Sequence, residues 1–275
     1  LPPSAMAAGA DMAATSMHKL GGSLVQTSLL HVKGGRVDPS RVQAAISMLT
    51  STSTSYILLA SLDMARMQLA TRGTELLDET LKLAVAARRE LCRIPGLGLL
   101  GGERPSRLLD PTKLCMSTRG LGLSGVTAER RLRAEHRVEV EMSDLCNILC
   151  LLSLGHRRAD VDALLEALWA LAGEGARAPE PGPVPPCALP PLGVLDMSPR
   201  EAYFSPAELV PLQEAAGRVI AESVLAYPPG IPALVPGERI SGEHIDYIRQ
   251  CLLGGLPMQG AEDPTFSHLK VVRKR

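Results

Sequence analysis

The sequence has no net charge, no long apolar run, no closely paired cysteines and no conventional beginning. Each absence removes a class of protein. Basic and acidic side chains balance at 29 each, so the footprint of a nucleic-acid binder and the polybasic face of a membrane-surface protein are both missing. No stretch reaches the roughly 18 apolar residues that a membrane helix needs. None of the six cysteines, Cys92, Cys115, Cys146, Cys150, Cys187 and Cys251, forms a CxxC pair. Without an export signal they read as reduced, mostly buried thiols of a cytoplasmic protein. Cys146, Cys150 and His156 are a poor metal set, and packing in the apolar run Leu145 to Leu154 is the stronger account. The opening Leu1-Pro2-Pro3-Ser4 has neither an initiator Met nor a basic segment leading into an apolar one. Leu1 therefore reads as something other than the natural first residue. Aromatic residues are scarce, and Trp169, the only Trp, is expected to anchor a core.

What is present is apolar. Hydrophobic residues make up 45% of the chain, which argues against wholesale disorder. At 275 residues the chain suggests about two domains, each able to bury a core. Residues 10–16 read as a short buried strand and Ser23 to Val32 as a second, ended by Gly34-Gly35. Asp38-Pro39-Ser40 opens a helix to about Leu49, with a capping side chain followed by Pro at the first helical position. The hydroxyl-rich Thr50 to Ser55 follows. Helical spacing runs from Tyr56 to about Thr71, placing Met64 and Met67 in the core. It resumes from a Thr74 cap to Cys92.

Beyond Ile94-Pro95-Gly96 the pattern alternates. Strands are expected at Thr112 to Thr118, Val138 to Met142 and Leu145 to Leu152, with helices at Thr127 to Arg137 and from Asp160 to Ala172. Residues 178–191 are too proline-rich for regular structure and read as a semi-rigid spacer. A third block contains the loop Tyr227 to Pro232 and a helix from Ser241 to Leu253, closed by Gly254-Gly255. Lys270 to Arg275 read as a solvated basic tail.

Ser16, His18 and Lys19 lie in a turn between the first two apolar segments. A lysine buried there has its pKa lowered toward the neutral amine that Schiff-base chemistry uses, and Ser16 and His18 could supply donors to a phosphate. On spacing alone, a surface lysine followed by an ordinary Gly21-Gly22 turn is the stronger account.

The residues themselves shift that balance. Leu1 to Val32 (LPPSAMAAGADMAATSMHKLGGSLVQTSLLHV) resembles the lysine-bearing segment of the bacterial ornithine/lysine/arginine decarboxylases, pyridoxal-phosphate enzymes of the aspartate-aminotransferase fold. The resemblance continues through Ser47 to Arg72, Glu141 to Leu151, Ala215 to Glu238 and Gly255 to Asp263. Within the family the chain looks most like the compact arginine decarboxylases of Gram-positive bacteria, which make agmatine for polyamine synthesis.

The resemblance implies an α/β fold: the C-terminal part of a fold-type-I, aspartate-aminotransferase-like large domain, followed by a small α/β domain. The expected division is 1–72 for the end of the cofactor domain and 73–177 for a connecting helix and small domain. A linker at 178–195 and a C-terminal decarboxylase segment at 196–275 complete it. The Ser-x-His-Lys motif places the Schiff base on Lys19 and the cofactor contacts on Ser16 and His18. Lys19 or His18 becomes the proton donor. The hydroxyl-rich segment points to Thr52, Ser53 and Ser55 as donors to the phosphate of a neighbouring subunit, implying a homodimer or higher homo-oligomer. Thr54 stands where many relatives have Pro.

A basic amino-acid substrate needs a carboxylate at its distal end. Glu238 is the candidate, with Asp144 second, although a turn carboxylate beside Arg239 explains Glu238 about as well. Arg218 could hold the substrate carboxylate, against the plainer account of a helical pair with Glu214. Arginine, lysine and ornithine differ at their distal ends, and Glu238 alone does not choose among them.

One departure stands out. The family's Asp-Glu-Ala-His and Gly-Thr-Ser type cofactor motifs lie upstream of the matching segment and occur nowhere in these residues. Two expectations follow: a decarboxylase whose N-terminal part is not in this chain, or a non-catalytic chain serving as a structural or oligomerisation partner.

Overall fold

A computed structural model describes residues 2–175, 189–227 and 229–274. These fall into two compact units. The first comprises Leu1–Ile94, Leu99–Cys115 and Cys150–Trp169, and the second Pro95–Gly98, Met116–Leu149 and Ala170–Arg275. Of the expected spacer at 178–191, residues 178–188 lie outside the described residues.

The first unit begins with strand β1 (Met12–Ser16), the single helical turn α1 (Met17–Leu20) and strand β2 (Ser28–Val32). The strands pair antiparallel from Met12 with Val32 to Ser16 with Ser28. β1 is mostly exposed rather than buried, because a two-stranded ribbon has nothing to cover either face. Helix α2 (Pro39–Leu49) starts as its sequence predicts, with the Asp38 side chain accepting from the Ser40 N–H.

Helix α3 runs unbroken from Tyr56 to Leu91. The break expected at Thr74 is absent, and Gly73 lies buried inside the helix. A glycine in a helix interior costs only about 1 kcal/mol, too little to stop a helix whose later turns are packed. Those later turns bury Thr80, Ala84, Ala87, Arg88 and Leu91. Met64 and Met67 are exposed instead of packed, as are Tyr56, Ile57 and Leu59. Helical spacing shows that these side chains share a face, but not that anything lies against it.

Strands β3 (Gly98–Leu99), β4 (Lys113–Ser117), β5 (Met142–Ser143) and β6 (Asn147–Leu151) form a sheet in the order β3-β4-β6-β5. Helix α4 (Gly125–His136) is capped by Ser124, whose hydroxyl accepts from the Thr127 N–H. The strand expected at Val138 shrinks to Met142–Ser143. Arg137 ends α4 in the left-handed region, and Glu139 turns back to pair with Arg133 at 2.8 Å. Helix α5 (Arg158–Gly175) begins two residues before Asp160, which reaches back to accept the Arg157 N–H at 2.7 Å. Trp169 is 45% exposed and anchors no core.

The rest of the second unit holds β7 (Val194–Leu195), α6 (Pro199–Phe204), β8 (Ala207–Pro211), β9 (Val224–Ala226), β10 (Pro232–Leu234), β11 (Glu238–Arg239), α7 (Gly242–Leu253), β12 (Met258–Gln259) and β13 (His268–Val272). Ile220, Val224, Leu234, Ile248, Phe266 and Leu269 belong to its main core. Each such side chain contributes about 1.5–3 kcal/mol of transfer free energy. Helix α7 opens with a reciprocal cap between Ser241 and His244. The basic end is partly structured, since Lys270 lies in β13 opposite Leu209 and pairs with Glu262 at 2.6 Å. No helix among the described residues is long and apolar enough to cross a membrane.

Candidate active site

The motif residues are set by β1 and α1. Ser16 is the last residue of the strand and the cap position of the helical turn. Its hydroxyl makes no cap hydrogen bond and stays available as a donor. Met17 is buried and seats the turn, while Lys19, two residues on, is exposed. The lysine is thus presented outward, as spacing alone suggested, and is not the buried amine of the other account. Gly21 closes the turn tightly: a Cβ there would sit 2.5 Å from the Met17 Cε and 2.8 Å from its carbonyl oxygen. Gly22 follows at φ +86°, a conformation suited to glycine.

His18 is oriented by a loop the sequence did not single out. Its Nδ1 lies 2.9 Å from the Thr27 carbonyl. A carbonyl only accepts, so Nδ1 carries a proton and Nε2 is left for other chemistry. Thr27 is buried, donates its hydroxyl to the Leu24 carbonyl at 2.7 Å and meets the Ser23 hydroxyl at 2.5 Å. Nothing in the spacing of Ser23 to Thr27 identifies this carbonyl as the histidine's partner.

Thr52, Ser53 and Ser55 are all exposed and lead into the start of α3. The Ser55 oxygen caps that helix by accepting from the Leu58 N–H at 3.5 Å, so its own proton remains free to donate. Acidic residues are absent from the first turn, which leaves the positive end of the helix dipole uncompensated there.

The substrate candidates lie in the second unit. Glu238 and Asp144 line one cavity of about 390 Å³, whose walls include Leu192, Pro229, Ile231, Val235 and Leu256. Tyr247 lines it too, with its hydroxyl bonded to the Cys251 thiol. Burial pushes the Tyr247 hydroxyl above its ordinary pKa.

Asp144 is occupied by its own turn, accepting the N–H groups of Cys146 and Asn147 at 2.7 Å each. Glu238 accepts the Val235 N–H at 2.8 Å through Oε2. It makes no ion pair among the described residues. Arg239, its neighbour in sequence, turns instead to Asp196 and to the Gly217 carbonyl at 2.8 Å. Arg218 is not part of this cavity: it pairs with Glu208 at 2.5 Å and with the Val272 carbonyl at 3.0 Å. Glu214 is not its partner, because the chain there forms a short 3-10 turn with no helix to align them.

No group of three His, Cys, Asp or Glu side chains among the described residues could hold a metal ion. Cys150 is buried, which pushes its thiol up to about 12. Cys146 is disulfide-bonded, a departure from the expected reduced thiols, whereas Cys92, Cys150 and Cys251 are free. A disulfide needs two Cα atoms within about 7 Å, a separation that sequence spacing does not reveal. Cys92 is exposed, and Cys187 lies outside the described residues.

Comparison with known proteins adds an independent line. Residues 1–100 match the model of the Orn/Lys/Arg decarboxylase major domain and residues 191–255 that of the Orn/Lys/Arg decarboxylase C-terminal domain. The chain is 48% identical over its whole length to the arginine decarboxylase of Bacillus subtilis and covers 57% of that protein. It is 49% identical to the arginine decarboxylase of Halalkalibacterium halodurans, with 100% of this chain and 57% of the relative covered. The chain thus spans a little over half the length of these relatives. The fold is similar to that of the Escherichia coli constitutive lysine decarboxylase, at a TM-score of 0.74 and 20% identity, covering 95% of this chain and 49% of the other. The lysine decarboxylase LdcF of Francisella novicida gives the same TM-score at 22% identity, with 94% and 48% covered. With its Lys19 motif in the matched major domain and Glu238 in the matched C-terminal domain, the chain belongs to the Orn/Lys/Arg decarboxylase family.

Proposed function

We propose that this chain is part of a pyridoxal-phosphate-dependent enzyme that decarboxylates a basic amino acid, arginine to agmatine and carbon dioxide. The observation that carries the reading is the Ser16-Met17-His18-Lys19 turn, which presents an amine and its flanking donors on one helical turn. The relatives named arginine decarboxylase, similar over the whole chain, support arginine over lysine or ornithine.

Pyridoxal phosphate needs a primary amine for its aldehyde and several donors for its phosphate. The residues present fit those needs. Lys19 is exposed, the Ser16 hydroxyl is uncommitted, and Thr52, Ser53 and Ser55 offer three exposed hydroxyls at the start of α3. When bound, the cofactor supplies an electron-withdrawing ring that takes up the electron pair left as carbon dioxide departs.

The chain's own residues do the rest. Lys19 Nζ would hold the cofactor through its aldehyde. His18, held by Thr27 through Nδ1, keeps Nε2 available to take up or release a proton. Lys19 or His18 returns a proton to the substrate Cα. Glu238 holds the distal cation of the substrate, and its lack of an ionic partner within the cavity supports that role. The exposed hydroxyls at 52–55 are suited to the phosphate of a second subunit, which makes the working form at least a homodimer.

A second reading is a non-catalytic chain that acts as a structural partner. The outward exposure of Lys19 and of the apolar side chains on α3 favours it. The test is to mix the chain with pyridoxal phosphate and record the visible spectrum, then to measure carbon dioxide release from arginine, lysine and ornithine. A visible band that is absent in Lys19→Ala, with release from arginine, supports the enzyme. A chain that gives no band and no release is not an enzyme by itself.

A further inference from the structure

Glu238 lies on β11, which pairs antiparallel with β7 so that Glu238 faces Leu195 and Arg239 faces Val194. Gly193, the residue before β7, backs directly onto the Glu238 side chain. A Cβ at Gly193 would lie 2.5 Å from the Glu238 Cδ, 2.7 Å from Oε2 and 2.9 Å from Cβ. Real Cβ atoms do not approach carboxylates this closely, so the carboxylate occupies the space that a side chain at 193 would fill. Gly193 is not in the left-handed region. An alanine there is permitted by the backbone, and the three atoms nearest its Cβ all belong to Glu238.

The pocket behind the carboxylate thus has two sides. The Val235 N–H holds Oε2 at 2.8 Å, and the bare Cα of Gly193 leaves room for the group to lie there. Oε1 has no hydrogen-bond partner among the described residues. The charge is exposed to a cavity whose other walls are largely apolar, where a weakly hydrated planar cation is favoured over a strongly hydrated point charge.

We propose that Gly193 is a positioning residue for Glu238, and that the missing side chain at 193 sets the affinity of this cavity for a guanidinium group. The proposal rests on the reading of Glu238 as the carboxylate that binds the substrate's distal cation. It goes beyond that reading by naming the residue that places the carboxylate and the cation class that the placement selects.

Agmatine is the probe, titrated into the intact chain by calorimetry with 1,5-diaminopentane, which carries a second ammonium in place of the guanidinium, as the control. The variants are Glu238→Gln, Gly193→Ala and the double mutant, each checked for its thermal midpoint. Wild type should bind agmatine more tightly than 1,5-diaminopentane. Glu238→Gln and Gly193→Ala should each weaken agmatine by about tenfold, the scale of one charge-assisted hydrogen bond. Gly193→Ala should add nothing in the Glu238→Gln background, because it acts through that carboxylate.

If Glu238→Gln leaves agmatine binding unchanged, the reading of Glu238 fails. If Glu238→Gln weakens binding while folded Gly193→Ala does not, the reading stands and the proposal is overturned. An equal loss from Gly193→Ala in both backgrounds also overturns it, as does a wild type that binds 1,5-diaminopentane as well as agmatine. Absence of agmatine binding to the wild type overturns both. Should Gly193→Ala not fold, Glu238→Asp draws the carboxylate back from the same slot. A comparable loss is then expected, and unchanged affinity counts against the proposal.

Discussion

Gly125 is the first residue of α4, and an alanine there tests how tightly the helix start is packed against the turn that follows β5. A Cβ at 125 would fall inside the contact distance of the Asn147 and Asp144 carbonyl oxygens, and 2.8 Å from the Asn147 carbonyl carbon. These are backbone atoms and cannot rotate away. The turn is also knit together: the Asp144 N–H donates to the Asn147 carbonyl at 2.9 Å, and the Asp144 carboxylate accepts from Cys146 and Asn147. Overpacking of this kind costs about 1–3 kcal/mol, and displacing the Asn147 carbonyl forfeits a hydrogen bond of about 1 kcal/mol. The gain in helix propensity from Gly to Ala offsets at most about 1 kcal/mol. Gly125→Ala should therefore lower unfolding free energy by about 1–3 kcal/mol, read as a urea midpoint lower by about 0.5–1 M. A loss under about 0.5 kcal/mol would refute the argument, because it would mean that the turn yields freely.

Two further outcomes follow from the same structure. Arg88 is 1% exposed and donates to the carbonyls of Gly102 at 2.7 and 2.9 Å and of Leu100, with a longer bond to Lys113 at 3.4 Å. Arg88→Met keeps the stem and strands those carbonyls, so it should cost about 2–4 kcal/mol in denaturant unfolding; a neutral result would mean that water replaces the guanidinium at no cost. Asp263 accepts from the Thr265 hydroxyl and N–H and from the His268 N–H, which hold its carboxyl at about 2, below the ordinary 3.8. A depressed acid stabilises above its unfolded pKa and loses that contribution as pH falls through the folded value. Asp263→Asn should thus unfold more readily than wild type at neutral pH, the difference closing between about pH 4 and 2; a pH-independent gap in thermal midpoint would contradict this.

What the sequence determined by itself is what short-range hydrogen bonding and local covalent geometry decide. Asp38-Pro39-Ser40 opens α2 and Ser241 caps α7 because each cap closes within three residues. Ser16, His18 and Lys19 were legible as a set because they fall within one turn of the chain, and their motif carried the family.

Tertiary structure decided whatever depends on partners far along the chain. Whether Gly73 breaks a helix, whether Met64 or Trp169 is covered, and whether Lys19 is buried all turn on what packs there, not on local spacing. Arg218 chose Glu208, ten residues away, over Glu214, and Arg239 chose Asp196 over its neighbour Glu238. That second choice leaves Glu238 without a counter-charge among the described residues, in a largely apolar cavity. Strand pairing between β7 and β11 then puts Gly193 behind it. Forty-odd residues separate those two positions, and only the folded chain makes one the floor of the other.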